Sequence, residues 1–429
     1  MRVFVKSYGC SSNMADGETL AGCLAAAGHK LVNSPQLADL IVLNTCAVKG
    51  PTENRMISLL KHVPAGKRLI VSGCLPMINF ERLCKEVRFD GAVGPAAGET
   101  IVGVAERVLR GEKVILLDNA SRAMPNLALP RLRSNQVVSI VPVSYGCLGA
   151  CAYCCVTLAR GRLRSYSVSD VVRRVKEDVD KGVREFWITS QDTACYGKDR
   201  GSNLAELLQA VCEVNGDFNV RVGMMTPNIA GSMLEELVQA FNHRKVFKFL
   251  HLPVQSGDDH VLKRMERRYS VGDFEEIVAT FRSSLPEITL STDIICGFPG
   301  EIEEAFEGTL RLIECAKPDV VNVSKFFARP ETSAFKMQEA FVPRAEINRR
   351  SAMAAALVKK ISFERNRRWI GWVGSVLVDE VGKLPGSWVA RNFAYKPIAL
   401  KSGAELLGKT LHVKITKAFS TYLQAEIVD

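Results

Sequence analysis

The segment Gly146-Cys-Leu-Gly-Ala-Cys-Ala-Tyr-Cys154 follows a predicted strand at residues 137–143 and guides the interpretation of the whole 429-residue chain. Cys147, Cys151 and Cys154 have the spacing C-x3-C-x2-C. Three thiolates in one short loop can bind three irons of a 4Fe-4S cluster and leave the fourth iron open. The alternatives are a zinc site or buried packing cysteines, but zinc motifs usually come as two cysteine pairs, and the sequence contains no second pair.

Strand and helix patterns alternate on either side of this loop. The predicted strands of the central region are residues 137–143, 185–189, 220–224, 247–252, 289–295 and 320–324, and a basic helix is predicted from Pro343 to about Arg368. Six strand–helix units predict a partial (βα)6 barrel of the triose-phosphate-isomerase type. Active sites of such barrels lie at the carboxyl ends of the strands. We assign this central domain to residues 135–366.

The first 120 residues form a separate α/β unit in our interpretation. Residues 2–6, 39–44 and 68–72 read as buried strands with helices between them, and Ser11 or Ser12 is predicted to cap the first helix. This alternation predicts a doubly wound parallel sheet. Cys10, Cys46 and Cys74 each follow a strand, so they are expected at one sheet edge, where they could bind a second three-ligand cluster. Isolated buried cysteines are the alternative.

The last part of the chain, residues 367–429, has short alternating apolar segments broken by Gly and Pro. This pattern predicts a small all-β barrel. The stretch Gly403-Ala-Glu-Leu-Leu-Gly-Lys-Thr410 matches the Walker A pattern of nucleotide triphosphatases. A P-loop needs a helix after it, whereas the residues that follow Thr410 alternate as in a strand. We therefore interpret the match as accidental.

Composition and charge favour a reduced chain with a polyanionic partner. Thirteen cysteines are an odd number, so a complete disulfide framework is excluded, and the first residues lack a signal peptide. No apolar run reaches membrane-spanning length, so we expect a cytoplasmic chain. Of the net charge of +10, +6 lies between residues 342 and 368. This stripe is either a solvated helix face or a phosphate-binding surface.

Together these motifs resemble the methylthiotransferases, radical S-adenosylmethionine enzymes with two iron–sulfur clusters. The resemblance is closest to the archaeal and eukaryotic branch that acts on threonylcarbamoyladenosine in tRNA. The motifs that carry it are Ser7-Tyr-Gly-Cys10, Leu43-Asn-Thr-Cys46, Val71-Ser-Gly-Cys74, the cluster loop, Ala159–Ser165, Thr189–Gly197, His251–Ser256 and Thr292–Glu301. Ala394-Tyr-Lys-Pro397 and Leu407–Thr410 resemble the TRAM domain, an RNA-binding barrel.

The resemblance implies an α/β protein in three parts: the N-terminal methylthiotransferase sheet domain, the radical S-adenosylmethionine barrel and the TRAM-like barrel. It implies conversion of N6-threonylcarbamoyladenosine next to the anticodon, at position 37, to its 2-methylthio derivative. The implied cofactors are two 4Fe-4S clusters and S-adenosylmethionine. The implied partners are the tRNA anticodon loop, a low-potential electron donor and a sulfur source, with no membrane. Alternatives are isopentenyladenosine or a ribosomal-protein aspartate as substrate, and a non-catalytic iron–sulfur RNA-binding protein.

The resemblance also implies roles for particular residues. The predicted cluster ligands are Cys10, Cys46, Cys74, Cys147, Cys151 and Cys154. The predicted cofactor contacts are Tyr153, Gln191, Asp192, Gln255, Ser256, Asp293, Arg160 and Arg164. The predicted RNA contacts are Arg365, Arg367, Arg368, Lys396, Lys409 and Lys414. The chain departs from the family pattern at Glu331, where a glycine is expected, and at Cys195, where a small residue is common.

Overall fold

The N-terminal part of the protein is a six-stranded parallel sheet with the strand order β2-β1-β3-β4-β5-β6. The computed structural model describes residues 1–48, 50–117 and 124–428, so the predicted boundary at residue 120 lies outside the described residues. The strands are β1 (Arg2–Ser7), β2 (Lys30–Leu31), β3 (Leu40–Thr45), β4 (Arg68–Gly73), β5 (Gly91–Val93) and β6 (Val114–Leu116). The helices are α1 (Ser11–Ala26), α2 (Gly50–Lys61), α3 (Leu75–Ile78), α4 (Phe80–Glu86) and α5 (Thr100–Leu109).

The central position of β3 in this sheet explains why its first four residues are apolar. All six residues of β3 are buried, as expected for a central parallel strand covered by helices on both faces. The strand order reverses between β1 and β3, and ligands of doubly wound sheets bind at such a switch point, beyond the carboxyl ends of the strands. Cys10 follows β1 and Cys46 follows β3, so both flank the switch point.

The start of α1 differs from the sequence prediction. The N-cap residue is Cys10, not Ser11 or Ser12, and no side-chain hydrogen bond caps the helix. Gly9 has φ of +112°, and a Cβ atom at this position would lie 2.6 Å from Cβ of Cys46. Glycine is therefore required here, because it permits both the turn and the close approach of the two cysteine-bearing segments.

The central part forms the predicted open barrel of parallel strands. Its strands are β7 (Val138–Pro142), β8 (Ser144–Tyr145), β9 (Arg164–Ser165), β10 (Glu185–Thr189), β11 (Asn219–Val222), β12 (Phe249–His251), β13 (Thr289–Cys296) and β14 (Val320–Lys325). Two three-stranded sheets, β11-β10-β7 and β12-β13-β14, join through a bridge between Val220 and Val246. The barrel is therefore six-stranded in the order β7-β10-β11-β12-β13-β14, and β8 and β9 form a separate ribbon.

Most helices of the central part cover the outside of the barrel. The helices of this part are α6 (Val156–Arg160), α7 (Val168–Val179), α8 (Leu204–Glu213), α9 (Pro227–Gly231), α10 (Leu234–Asn242), α11 (Asp259–Arg264), α12 (Val271–Ser284), α13 (Glu303–Ala316) and α14 (Arg344–Arg367). The apolar faces of α7 to α14 and the barrel strands share one large core, which includes Phe186, Phe241 and Phe281. Helix α6 instead packs with Leu158 and Ala159 into the core of the N-terminal domain. None of the helices among the described residues is long and apolar enough to cross a membrane.

The C-terminal part is a closed five-stranded barrel in the order β15-β16-β17-β19-β18. The strands are β15 (Val373–Val381), β16 (Ser387–Arg391), β17 (Pro397–Lys401), β18 (Thr410–Ala418) and β19 (Leu423–Ile427). Strand β18 begins at Thr410, directly after the Walker A-like stretch. A strand cannot present a helix N-terminus to phosphates, so the structure supports the interpretation of that match as accidental.

The three parts pack together through polar as well as apolar contacts. Glu18 of α1 accepts hydrogen bonds from Ser134 of the segment that leads into the barrel. In the same segment Arg131 pairs with the buried Asp178 at 2.6 Å. At the other end of the barrel, the hydroxyl of Tyr395 donates to Glu185. These contacts orient the carboxyl ends of the barrel strands toward α1 and the cysteine edge of the N-terminal sheet.

Candidate iron–sulfur centres and cofactor pocket

The central cysteine loop follows β8 at the carboxyl end of the first barrel strand, and Cys147, Cys151 and Cys154 are half-buried in it. The backbone N–H of Gly149 donates to Sγ of Cys147 at 3.2 Å. A Cβ atom at position 149 would lie 3.3 Å from Sγ of Cys147 and 3.5 Å from Sγ of Cys151. Glycine at this position therefore keeps the space between the two thiols free of side-chain atoms, which fits a loop that wraps a cluster.

Both cysteine triads are spaced for a cluster rather than for a single ion. Among the described residues, only Cys147, Asp192 and Cys195 form a group of three ligand atoms within 4.8 Å of one another. The thiols of each triad are spread more widely, as expected when each thiolate binds a different iron of one cluster. Three soft thiolates in one short loop favour iron–sulfur chemistry. The adjacent Cys155 is buried in the core of the N-terminal domain.

Arg267 is a neighbour of the central loop that the sequence analysis missed. Its Nη2 donates to the hydroxyl of Tyr153 at 2.5 Å, and its guanidinium lies 5.7 Å from the ring centroids of Tyr153 and Tyr269. Burial raises the pKa of the Cys151 thiol, whereas the charge of Arg267 lowers it. The structure therefore places a buried cation behind the loop. Tyr153, a predicted cofactor contact, uses its hydroxyl to hold this cation.

Cys195, one of the two departures from the family pattern, lies beside a predicted cluster ligand. A hydrogen bond from Cys195 lowers the pKa of the Cys147 thiol, although burial raises it. Sγ of Cys195 also lies 3.1 Å from Oδ2 of Asp192. The other oxygen of Asp192 accepts from the backbone N–H groups of Ala194 and Thr226. The buried Asp192 therefore stabilises its own loop through these hydrogen bonds and lies close to the cluster loop.

The predicted cofactor contacts Gln255, Ser256 and Asp293 lie on or after strands β12 and β13. Asp293 on β13 lies between His251 on β12, at 3.2 Å, and Asn322 on β14, which donates to it at 2.6 Å. Gln255 adopts φ of +72°, and its backbone N–H donates to the carbonyl of Asp293. Ser256 is buried, with Oγ 3.5 Å from Oγ1 of Thr309 on α13. The structure therefore brings Gln255 and Asp293 together at the barrel mouth and places Ser256 behind them.

Gln191 connects the central loop to the N-terminal domain. Its Oε1 accepts from the backbone N–H of Gly146 at 2.7 Å, and its Nε2 donates to Ser12 at 3.3 Å. Nearby, Oγ of Ser11 lies 2.7 Å from Oγ1 of Thr189 at the end of β10. Helix α1, which starts immediately after Cys10, therefore contacts the residues that position the central loop.

The N-terminal triad lies at the carboxyl ends of β1, β3 and β4. Cys46 and Cys74 are buried and Cys10 is exposed. Burial raises the pKa of the Cys74 thiol to about 12; the charge of Arg160 opposes this shift, and the thiols of Cys10 and Cys46 add to it. The three thiols therefore lie close enough to influence one another, at the switch point of a doubly wound sheet.

Two buried arginines of the central domain lie beside this triad. Arg160, predicted to contact the cofactor, forms an ion pair with Asp16 of α1 at 2.7 Å. Arg329 forms a buried ion pair with Glu53 of α2 and lowers the pKa of the Cys155 thiol, which burial raises. Arg164, the other predicted arginine contact, is half-buried and donates to the carbonyl of Arg160 at 3.1 Å. The sequence contained no signal for the pairing of either buried arginine, because its partner is distant in the chain.

Comparison with known proteins agrees with this three-part architecture. The chain matches the Radical SAM superfamily over residues 141–313, the uncharacterized protein family UPF0004 over residues 2–94 and the TRAM domain over residues 367–428. It is 42% identical to a probable threonylcarbamoyladenosine tRNA methylthiotransferase of Pyrococcus horikoshii, with 100% of both chains covered. The chain belongs to the threonylcarbamoyladenosine tRNA methylthiotransferase family. Its resemblance to that family, inferred from the motifs, is confirmed.

Members of the threonylcarbamoyladenosine tRNA methylthiotransferase family also occur in eukaryotes. The Xenopus laevis protein of that name is 36% identical, over 100% of this chain and 77% of its own length. Among solved structures, the radical S-adenosylmethionine methyltransferase TsrM of Kitasatospora setae aligns with a TM-score of 0.56 and 13% identity, over 78% of this chain and 73% of that chain. This second likeness shows the fold alone. The predicted fold class and the predicted cofactors agree with the family, and the two cysteine triads fit two clusters.

The predicted RNA contacts are not all on the surface of the TRAM part. Arg367, Arg368, Lys409 and Lys414 are exposed. Lys396 is only 3% exposed and donates to Asp319 at 2.8 Å, and Arg365 pairs with the same carboxylate at 3.1 Å. The prediction of a surface role for Lys396 is therefore wrong in this structure, because its ammonium is needed inside the junction between barrel and TRAM domain.

The structure adds one exposed aromatic pair that the sequence analysis did not select. The rings of Phe419 and Tyr422, at the turn between β18 and β19, stack 4.4 Å apart with an interplanar angle of 13°. Nδ2 of Asn366, near the end of α14, donates to the carbonyl of Phe419 at 2.7 Å. This hydrogen bond holds the turn that carries Phe419 and Tyr422 next to the exposed Arg367 and Arg368. The clue in the sequence was an aromatic residue on each side of Ser420-Thr421 between two predicted strands.

Proposed function

We propose that the protein converts N6-threonylcarbamoyladenosine at position 37 of tRNA to its 2-methylthio derivative. The observation that carries the proposal is the placement of two three-cysteine sites around one domain junction. Helix α1 begins at the N-terminal triad, and its Asp16 accepts from the hydroxyl of Tyr145, two residues before Cys147, at 2.8 Å. Sulfur carried at one site and radical chemistry at the other would therefore act on the same bound base.

The two sites require different chemistry from their cofactors. Bound S-adenosylmethionine and a reduced cluster in the barrel would supply a carbon-centred radical, and the N-terminal cluster would carry the transferred sulfur. The chain's own residues bind and orient these groups. Arg267 places positive charge behind the central loop, and Gln191 holds that loop against α1. Gln255 and Asp293 lie at the barrel mouth, where we propose that they contact S-adenosylmethionine.

We propose tRNA as the partner for two reasons. The relatives are named as tRNA methylthiotransferases, and the C-terminal part exposes basic residues that suit an RNA backbone. A base in the anticodon loop is single-stranded, so it can enter the barrel mouth without the opening of a duplex. Arg367, Arg368, Lys409 and Lys414 would contact backbone phosphates. We further propose a low-potential electron donor and a separate sulfur source, and a cytoplasmic site of action.

The test removes the N-terminal triad and leaves the central one intact. The triple variant Cys10→Ala/Cys46→Ala/Cys74→Ala should still form 5′-deoxyadenosine from S-adenosylmethionine but should produce no methylthiolated nucleoside. A triple variant of the exposed or helical cysteines, Cys84→Ala/Cys212→Ala/Cys315→Ala, serves as the matched control and should retain both activities. The readouts are chromatography of deoxyadenosine and mass spectrometry of tRNA nucleosides.

The same mass spectrometry distinguishes the substrates. A mass increase confined to threonylcarbamoyladenosine supports the proposal. Methylthiolated isopentenyladenosine, or a methylthiolated aspartate in ribosomal protein, would assign another substrate to the same chemistry. Full methylthiolation by the triple variant of the N-terminal triad would rule out the proposal that the N-terminal site carries the transferred sulfur.

A further inference from the structure

Arg160 belongs to the central domain but is directed into the N-terminal domain. It is the last residue of α6, a short helix that follows the central cysteine loop, and it is only 3% exposed. Its Nη2 lies 2.7 Å from Oδ2 of Asp16 and 3.3 Å from Oδ1 of Asn13, both on α1. Its guanidinium carbon lies 5.8 Å from the ring centroid of Tyr145. These contacts hold one edge of the guanidinium in a defined position.

The partners of Arg160 on α1 place its guanidinium near the N-terminal triad. Cys10 is the N-cap residue of α1, and Nδ2 of Asn13 donates at 3.2 Å to the carbonyl of Thr45, which also accepts from the backbone N–H of Cys74 at 2.9 Å. Burial lowers the pKa of Arg160, but Asp16, Cys74 and Cys10 raise it, and the net effect is a pKa above its usual range. The group therefore stays charged although it is removed from water. The same charge lowers the pKa of the Cys74 thiol against the effect of burial. Arg160 thus lies close enough to Cys10 and Cys74 for its charge to act on both thiols.

One nitrogen of Arg160 has no acceptor in the described part of the chain. Nη1 is fully buried, and no atom of the described residues accepts a hydrogen bond from it with normal geometry, although the Arg160 side chain interacts closely enough with the Cys74 thiol to lower the pKa of that thiol. A buried charged donor without an acceptor destabilises the folded protein. Native proteins keep such a group when an ion, a water molecule or a ligand accepts the hydrogen bond. Next to three cysteines, the acceptor that matches this donor is a sulfur atom of an iron–sulfur cluster.

We propose that Nη1 of Arg160 donates a hydrogen bond to a sulfur atom of the cluster held by Cys10, Cys46 and Cys74. The central domain would then complete the N-terminal site, and Arg160 would be a positioning residue that stabilises the more negative, reduced form of that cluster. Hydrogen bonds to sulfur are one of the means by which proteins set the potential of such clusters. This inference rests on the proposed function, which places the second cluster at this triad.

A purely structural role for Arg160 is the competing explanation. Arg160 could serve only as the counter-ion of Asp16, because removal of one partner from a buried ion pair is strongly destabilising. The variant Arg160→Gln leaves Asp16 uncompensated, so on its own it cannot separate the two roles. The double variant Asp16→Asn/Arg160→Gln removes both charges and keeps similar side-chain volumes. Asp16→Asn alone keeps the arginine, and Arg162→Gln removes an exposed arginine of the same segment.

The test is a potentiometric titration of the reconstituted full-length protein, followed by electron paramagnetic resonance. The central cluster is recognised because its spectrum changes when S-adenosylmethionine is added. In the double variant, the N-terminal cluster should show an approximately tenfold lower ratio of reduced to oxidised form at a fixed potential, a shift of about 59 mV to more negative values. The midpoint of the central cluster should not change. Arg162→Gln should keep the wild-type midpoints of both clusters. Asp16→Asn should not lower the N-terminal midpoint, because it removes a negative charge and keeps the arginine.

An unchanged N-terminal midpoint in a folded, cluster-loaded double variant would overturn the inference and leave the proposed function intact. A wild-type protein that binds about four irons per chain, instead of the roughly eight expected for two clusters, would contradict the proposed function itself. Thermal unfolding and iron content of every variant show whether the fold and the clusters are retained. Loss of iron from the double variant alone, with its fold retained, would also support direct contact between Arg160 and the cluster.

Discussion

The Lys396 ammonium lies 2.8 Å from the Asp319 carboxylate, and this buried ion pair joins the TRAM domain to the barrel just before β14. The same carboxylate accepts from Arg365, and Lys396 also donates to Oδ1 of Asn366 at 3.1 Å. Asp319 therefore holds the end of α14 and the β16–β17 connection against one point of the barrel. The TRAM domain has a defined orientation relative to the barrel, and so does any RNA bound to it.

We expect the variant Lys396→Met to be destabilised by about 2 kcal/mol, the order found when a hydrogen bond to a buried charged group is lost. The effect should not be larger, because Arg365 continues to compensate Asp319. Thermal unfolding measures the loss, and Lys409→Met, at an exposed lysine of the same domain, should melt within experimental error of the wild type. A wild-type melting temperature for Lys396→Met, together with weakened tRNA binding, would restore the surface role that the sequence suggested.

The exposed cations should determine how strongly tRNA binding depends on salt. We expect Arg367→Gln and Lys414→Gln each to lower the slope of log K against log salt concentration by about 1, since each contact with a phosphate releases about one counterion. Affinity measured between low and physiological salt tests this. Lys396→Met is the matched control and should keep the wild-type slope. Equal slopes in all variants would place the RNA on another surface.

Glu185 makes the junction between barrel and TRAM domain sensitive to pH. Burial and the charge of Asp379 raise the pKa of Glu185 to about 7, although hydrogen bonds from Trp187 and Tyr395 and the charge of Arg391 oppose this. Oε2 of Glu185 has no hydrogen-bond partner among the described residues, so ionisation of this carboxyl is only partly compensated. In the unfolded chain the pKa returns to about 4.5, the ordinary value for a glutamate.

Between these two pKa values the folded protein binds more protons than the unfolded chain, so this group makes stability fall as the pH rises from about 4.5 to about 7. The variant Glu185→Gln carries the neutral form permanently and should lose this component of the pH dependence. Melting temperatures of both proteins across this range provide the test. Parallel curves would mean that Glu185 does not titrate as expected.

Glu331 occupies a backbone conformation that favours glycine. Its φ is +62°, at the position where the family pattern has glycine. We expect Glu331→Gly to stabilise the protein by about 1 kcal/mol, because glycine adopts the left-handed conformation without steric cost. The control Glu339→Gly, at a helical position, should be destabilising. A urea titration compares the two, and a stabilising effect of both substitutions would remove backbone strain as the explanation.

The sequence predicted most elements of the fold because their patterns are local. Strand β10 covers Glu185–Thr189, as predicted, and α14 covers Arg344–Arg367, within one residue of the prediction. The first helix begins after Cys10 rather than after a serine, because the turn at Gly9 places the extended backbone of Cys10 at the cap position. Capping depends on the conformation of the preceding turn, which residue preferences alone do not specify.

The candidate site was predictable only in part. The spacing of Cys147, Cys151 and Cys154 identified the central loop, and the positions of the other three cysteines after predicted strands indicated a shared edge of the sheet. Neither pattern contains information about the neighbours of the cysteines. The cation behind the central loop, Arg267, lies more than a hundred residues from Cys147 in the chain. The segment after α11 brings the two together, because the carbonyl of Met265 accepts from the backbone N–H of Ala152 in the loop.

The sequence by itself determined the fold class, the two sets of three thiols and the family, because strand–helix periodicity and cysteine spacing are properties of contiguous segments. Only the tertiary structure decided what the charged residues do. The basic residues Arg160, Arg365 and Lys396 look in the sequence like contacts for anionic ligands, yet the fold pairs each of them with a buried aspartate. The partner of a charge depends on which distant segments become neighbours. A buried charge that loses its partner is costly, so each such pairing helps to fix the segments that meet at a domain junction.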